Sequence, residues 1–284
     1  MRYSVNIIIF LFSITLFSQN DLEALLGPTS TKNLVINTFK STRIINNHSI
    51  ELFDLGQLDV RIAHRFGQLN SGIYELYGLD QAKIRIGLEY GLTKNLMLGI
   101  GRSTYNKTFD SYLKYRILNQ IKGLKNIPFS IVSFSNIAIN SLKKNYLDYP
   151  FSGRFSFCNQ LMVASKINRN LSIQIMPTWV HWNMVEFSDE MNDIFLIGMG
   201  FRHLVSRSVS INAEYFFRFL DNNLDRYNNS FSLGIDIETG GHVFQLHLTN
   251  SLPMHESGFM TRTQSSWSEG GVHFGFNISR EFNL

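Results

Sequence analysis

Arg61, Arg85, Lys114, Glu214 and His247 each occupy the polar position of a segment in which polar and apolar residues alternate. Asp236 and Glu238 follow the same pattern. A ring of such groups around a confined aqueous space would sort solutes by charge. Facing one another across a narrow space, they would instead pair and fill it. Acids and bases on this face nearly balance, which favours filling. Counting along each segment from its turns puts Arg61, Arg85, Lys114, Glu214 and His247 near mid-depth. Asp236 and Glu238 fall nearer one end, and His273 nearer the other.

Other chemistry finds weaker support. His242 and His247 are an odd number of residues apart, so in a strand they face opposite sides and cannot share one ion. Asp236, His247 and His273 could meet on one face only if His273 lay at the same depth, so no metal is expected. Membrane hydrolase chemistry needs a Ser held by a His and a third polar group. His64, His181 and His203 lie near segment ends with serines about, but there is no G-x-S-x-G elbow and no distinctive Ser–His spacing. Cys158 is the single cysteine. It can form no disulfide within one chain, and nothing near it in sequence would make its thiol reactive. Gly99-Ile-Gly101 and Gly198-Met-Gly200 lie inside alternating runs, where they thin one face rather than cradle a phosphate. No catalytic residue and no cofactor is expected, and the chain does not read as an enzyme.

The elements that must position these groups are strands. In Asn229–Asn250, Phe231, Leu233, Ile235 and Ile237 alternate with Ser232, Gly234, Asp236 and Glu238. Thr239-Gly-Gly241 turns the chain, and Phe244, Leu246 and Leu248 alternate with Gln245, His247 and Thr249. This is a hairpin with one apolar and one polar face. Its first arm has the length of a tilted strand across a bilayer. From Gly56 onward the period of two persists through about twelve such segments. Short turns near 92–95, 168–170, 206–207 and 239–241 mostly alternate with long links near 67–81, 140–153, 182–192, 219–228 and 251–271. The sequence therefore predicts an all-β fold: a closed antiparallel transmembrane β-barrel of about 12 strands, with short periplasmic turns and longer extracellular loops. Closure is required because lipid offers no partner to an edge strand. Pro177 falls inside one strand, where a bulge is expected. Composition agrees: aromatic residues make up 13% and charged residues only 17% of the 284 residues. The net charge of +4 at pH 7 is too small to imply a nucleic-acid partner.

Three organisational expectations follow. Met1–Ser18 reads as a secretory signal, with Arg2 as its basic residue, Val5–Phe17 as its apolar core and cleavage near Ser18. Residues 19–55 form an N-terminal segment, either a periplasmic lead-in or a piece folded into the lumen. Within it Asp21–Leu26 could make a helical turn before Gly27-Pro28, and 38–50 has no sustained period, so a lead-in is the simpler reading. Residues 56–284 form the barrel. The 251–271 link carries Met254, Phe259, Met260 and Trp267, and reads equally as a lid folded inward or a surface loop.

From Asp21 to its end, the chain resembles a family of Gram-negative outer-membrane β-barrel proteins known as a domain of unknown function. The likeness rests on Asp21–Leu26, Thr38–Arg43, Ala63–Gly67, Gly78–Ala82 and Asp236–His247. The resemblance implies the outer membrane and a barrel; it supplies no catalytic or ligand residues. The leading functional expectation is passage or binding of a small solute through a narrow lumen lined by Arg61, Arg85, Lys114, Glu214, Asp236, Glu238 and His247. A non-conducting barrel that contacts envelope proteins is the first alternative, and a lipid-modifying enzyme the second. A soluble lipocalin-like barrel fits less well, since its polar face would be outside. Expected partners are outer-membrane lipid, a small solute and an envelope protein, with no nucleic acid.

Overall fold

The computed structural model describes residues 33–123, 126–143, 150–219, 226–239 and 242–284. The expected signal at Met1–Ser18 and the helical turn at Asp21–Leu26 lie outside the described residues. The alternating runs form twelve barrel strands. They are β1 (Gln57–Gln68), β2 (Ala82–Thr93), β3 (Leu96–Ser103), β4 (Thr108–Leu118), β5 (Ser130–Asn140), β6 (Phe155–Lys166), β7 (Leu171–Trp182), β8 (Asp193–Leu204), β9 (Val209–Arg218), β10 (Phe231–Thr239), β11 (His242–Thr249) and β12 (His273–Asn283). Each pairs antiparallel with its chain neighbours, and β12 pairs with β1 to close the barrel. Asn33–Leu34 pairs with Ile121–Lys122 outside the barrel sheet.

Side-chain direction follows the period of two. In β10, Ser232 and Asp236 are buried while Leu233, Ile235 and Ile237 are 41%, 45% and 38% exposed. The apolar outside recurs round the wall in Ile86, Ile100, Ile175 and Leu246, while the inside is polar over part of the wall and apolar at Val132, Phe134, Met162, Met176, Val180 and Phe216. A continuous apolar outer band is stable only against lipid. A strand rises about 3.3 Å per residue, so twelve residues tilted by about 40° cover about 30 Å, the thickness of a bilayer core. The links between β2 and β3, β6 and β7, β8 and β9, and β10 and β11 are short and share one rim. The longer links share the other rim together with the short link 104–107, apart from the 119–129 link at the short-turn rim.

Pro177 departs from expectation, for it causes no bulge. Pro177 stands opposite Ile197 in β8. Towards β6, Gln160 opposes Thr178 and Val163 opposes Ile175 in unchanged register, and pairing lapses between them. Proline lacks the N–H the ladder needs, so the ladder skips rather than shifts. Register shifts occur instead at Gly91–Thr93, Arg116–Leu118 and His273–Gly275.

The interior holds two inserted segments. Residues 38–53 enter from the short-turn rim, and most of their side chains are buried. The simpler reading, a lead-in, is thus replaced for these residues by the lumen. From the opposite rim, residues 250–263 fold inward and form one short helix, α1 (Glu256–Thr261), all of whose residues are buried.

Candidate functional site

The lower insert is a hairpin. Arg43 bridges His48, Ser49 N donates to Thr42 O at 2.9 Å, and Ile44 N donates to Asn47 O at 2.8 Å. Its tip, Ile44–Asn47, needs acceptors for amides that no strand can supply. Glu214 provides them: Oε2 accepts from Ile45 N at 3.3 Å and Asn47 N at 3.1 Å, and Oε1 accepts from Asn46 N at 3.0 Å. The tip carbonyls are met in turn by Gln245 Nε2, which donates to Ile44 O at 2.5 Å, and Asn277 Nδ2, which donates to Ile45 O at 3.1 Å. Gln174 Nε2 donates to His48 O at 2.8 Å. Buried backbone groups must be satisfied, and here wall side chains do it. Glycine makes the fit possible: a Cβ at Gly200 would lie 2.2 Å from Ile44 Cδ1, and one at Gly91 would lie 2.0 Å from Asp54 O.

The upper insert is held differently. Ser257 Oγ lies 2.7 Å from Ser156 Oγ, and Trp182 Nε1 donates to Thr261 Oγ1 at 3.1 Å. Phe259 meets Phe216 edge to face at 5.4 Å, and Met260 sulfur lies 3.9 Å from Cys158. Arg65 Nη1 donates to Ser251 O and Pro253 O at 2.6 and 2.8 Å, which ties the descending chain to β1.

The inserts meet at Glu256. Its Oε1 accepts from Arg43 Nη1 at 3.1 Å and lies 3.2 Å from His48 Nε2. The His48 ring packs between Tyr112 and Phe134, each 4.4 Å away between centroids. Burial, reinforced by Arg43, Lys114, Arg85 and Arg61, holds His48 well below the usual imidazole range. Burial pushes the Glu256 carboxyl up against the pull of Arg43. His255 is driven down to about 4 by burial, so its imidazole is neutral at pH 7.

The residues singled out from sequence occupy distinct places around this contact. Arg61 lies 3.5 Å from Asp59 and 3.7 Å from Glu89, and Nη2 donates to Thr42 Oγ1 at 3.0 Å. Arg85 is paired with Asp110, its Nε donating to Oδ1 at 3.0 Å. Lys114 Nζ reaches the carbonyls of Thr42 and Glu51. Asp236 accepts from Gln245, the residue that also holds Ile44 O. His247 lies 3.5 Å from Arg65. Glu238 stands apart, half-exposed and paired with Lys40 at the short-turn rim. His273 bonds Phe66 O at 2.9 Å. Among the described residues no group of three potential ligands is placed to hold a metal ion.

Sequence reasoning missed Arg43, His48 and Glu256 as interior groups, along with Arg65 and Asp110. The last two were accessible: Asp110 extends the polar row of Tyr112 and Lys114, and Arg65 that of Arg61. Arg43 and His48 lie in a stretch with no period to read. The space left among Arg43, Arg61, Arg65 and Arg85 is about 10 Å³, room for roughly one water molecule. A larger space of about 170 Å³ opens towards the long-loop rim between Gln68, Tyr105, Pro253 and Arg262.

A family described as a membrane-bound beta barrel domain (DUF5777) matches residues 39–282. The match begins inside the inserted hairpin. Among solved structures, the chain is similar to the NanC porin, with a TM-score of 0.47, 9% identity and coverage of 80% of this chain and 100% of that one. The KdgM porin gives a TM-score of 0.48 and 9% identity over 80% and 99% of the two chains. An outer-membrane channel from Pseudomonas putida F1 gives 0.46 and 12% over 82% and 98%. These likenesses are of general strand layout, and no residue role is carried over from them. No curated protein matches the chain.

Proposed function

The chain belongs to the family of membrane-bound β-barrel domains whose profile spans residues 39–282, and on that premise we propose that it is a gated outer-membrane barrel for a small solute, closed at rest. In this reading Met1–Ser18 is removed on export, and the short-turn rim faces the periplasm. The solute is held or passed between walls carrying Arg61, Arg85, Lys114, Glu214, Asp236 and His247, with Glu238 at the exit. The chain performs no catalysis. The observation that carries the proposal is the unequal hold on the two inserts. The backbone of the hairpin tip is bonded by strand side chains from several sides, whereas the wall reaches the α1 backbone through Arg218 Nη1, which donates to Thr261 O at 3.2 Å, and otherwise through hydroxyl, sulfur and ring contacts; Glu256 ties α1 to the hairpin and not to the wall. The upper insert is thus the part that can withdraw, and the wall behind it, where Ser156 and Gln160 stand beside Cys158 and Phe216, would line the opened space.

The filled interior supports a second reading, a barrel that never conducts and works through its rims. One experiment separates the two. Ser156→Cys with Ser257→Cys would tie α1 to β6 by a disulfide, since the two hydroxyls are 2.7 Å apart. Single-channel recording in a planar bilayer should show steps in the reduced protein that vanish on oxidation. Silence in both states, with the barrel shown folded by heat-modifiable migration, would establish the non-conducting barrel.

A further inference from the structure

The lipid-facing wall carries a polar interruption where lipid is least tolerant. Ser135 sits at the middle of β5 and Asn159 near the middle of β6, directly opposite one another. Both alternate with inward residues, so both point outward. Ser135 Oγ donates to Asn159 Oδ1 at 2.8 Å. Among the described contacts the Asn159 amide N–H groups have no acceptor. Two donors aimed into hydrocarbon at mid-membrane are strongly unfavourable, so this position calls for a partner.

The surroundings have the shape of a contact surface. On one side of the pair the wall is concave. A groove of about 500 Å³ runs between Ile86, Ile100, Phe109 and Ile137. Its floor is at Ser111, a small residue set between Ile100 and Ile137 on the neighbouring strands. On the other side Trp179 and Phe195 project, and Phe195 is 60% exposed. Small outward residues let two walls approach closely in a membrane.

We propose that this face is the interface between two copies of the chain, related by a two-fold axis that passes beside Asn159. An amide both donates and accepts, so Asn159 is complementary to itself across such an axis, each Nδ2 donating to the other Oδ1. The axis also sets the groove of each copy against Trp179 and Phe195 of the other, as an isologous contact requires. Lipid acyl chains could fill the groove but could not accept from the amide, and that favours a second copy as the occupant.

The test uses the full chain in membranes of expressing cells. Asn159→Cys should form a disulfide-linked homodimer on mild oxidation, because residues at a two-fold axis meet their own kind. Cys158 points inward and is buried, so it does not compete. Asn159→Leu should weaken association about tenfold, shifting the mass in mild detergent from two chains to one, while heat-modifiable migration of the folded barrel persists. A single-chain mass for the unaltered protein in nanodiscs, with Asn159→Cys reacting freely with a lipid-soluble thiol reagent, would overturn the proposal. So would a cross-link to a different protein, or a dimer that Asn159→Leu leaves intact.

Discussion

Arg43 and Glu256 are separated by 213 positions in the chain and enter the barrel from opposite rims, yet Arg43 Nη1 donates to Glu256 Oε1 at 3.1 Å and both are buried. With His48 Nε2, 3.2 Å from the same oxygen, this contact joins the two inserts. Buried ion pairs gain little over apolar packing, but removing one partner strands the other charge.

Glu256→Ala should therefore lower the stability of the folded barrel by about 3–5 kcal/mol. Urea unfolding in lipid vesicles would measure it. Glu256→Gln, which keeps an acceptor for Arg43, should lose less. Equal midpoints for Glu256→Ala and the unaltered protein would show that the contact does not hold the inserts together.

Glu214 should govern the hairpin tip. Its carboxylate accepts three backbone N–H groups, and hydrogen bonds to charged groups are worth about 1.5–3 kcal/mol each. Part of that is replaced by water once the tip loosens, so Glu214→Ala should cost about 3 kcal/mol. Amide exchange at Ile45–Asn47 should then accelerate about a hundredfold. Exchange confined to its original rate would mean that the tip is held by packing alone.

Gly200 and Ile44 should be coupled. A Cβ at position 200 meets Ile44 Cδ1, so Gly200→Ala overpacks the site by about 1–3 kcal/mol. Ile44→Val shortens the obstructing side chain and should recover much of the loss. A double-mutant cycle measures the coupling, and simple additivity would refute the contact.

Acid should destabilise the upper insert through His255. Its folded pKa of about 4 lies below the ordinary value of 6.5. Between those values the unfolded chain binds a proton that the folded chain does not. Stability is therefore fully present above about pH 6.5 and falls as pH drops towards 4, by up to about 1.4 kcal/mol per unit. Glu256 acts in the opposite sense, since its pKa is raised. Comparing unfolding midpoints at pH 7 and pH 5 in the unaltered protein and in His255→Gln isolates the imidazole. The variant should show the shallower loss.

The barrel was legible because lipid and lumen impose a strict period. Asp236 and Ile237 had to face opposite ways, and they do. The same logic reached Arg61, Arg85 and Lys114. It could not reach the hairpin, because Thr42, Ile45 and Asn47 bond to side chains from all round the barrel rather than to one neighbouring strand. Such a segment has no repeat. The loop bearing Met254, Phe259 and Met260 showed its apolar weight, but not that α1 would seat against Cys158 and Phe216. Pro177 misled because a missing donor can be absorbed as a skipped rung.

The hairpin lies immediately before β1, and β1 closes against β12 at the same rim, where Leu284 N donates to Gly56 O. In chain order the hairpin therefore precedes every barrel strand, whereas the upper insert and the seam strand β12 follow the other eleven. The hairpin can be in position before the wall is complete, so the strands that bond its tip can wrap round it rather than admit a thread through a finished ring. Assembly order and final architecture then share one cause, the placement of a polar hairpin next to the first strand.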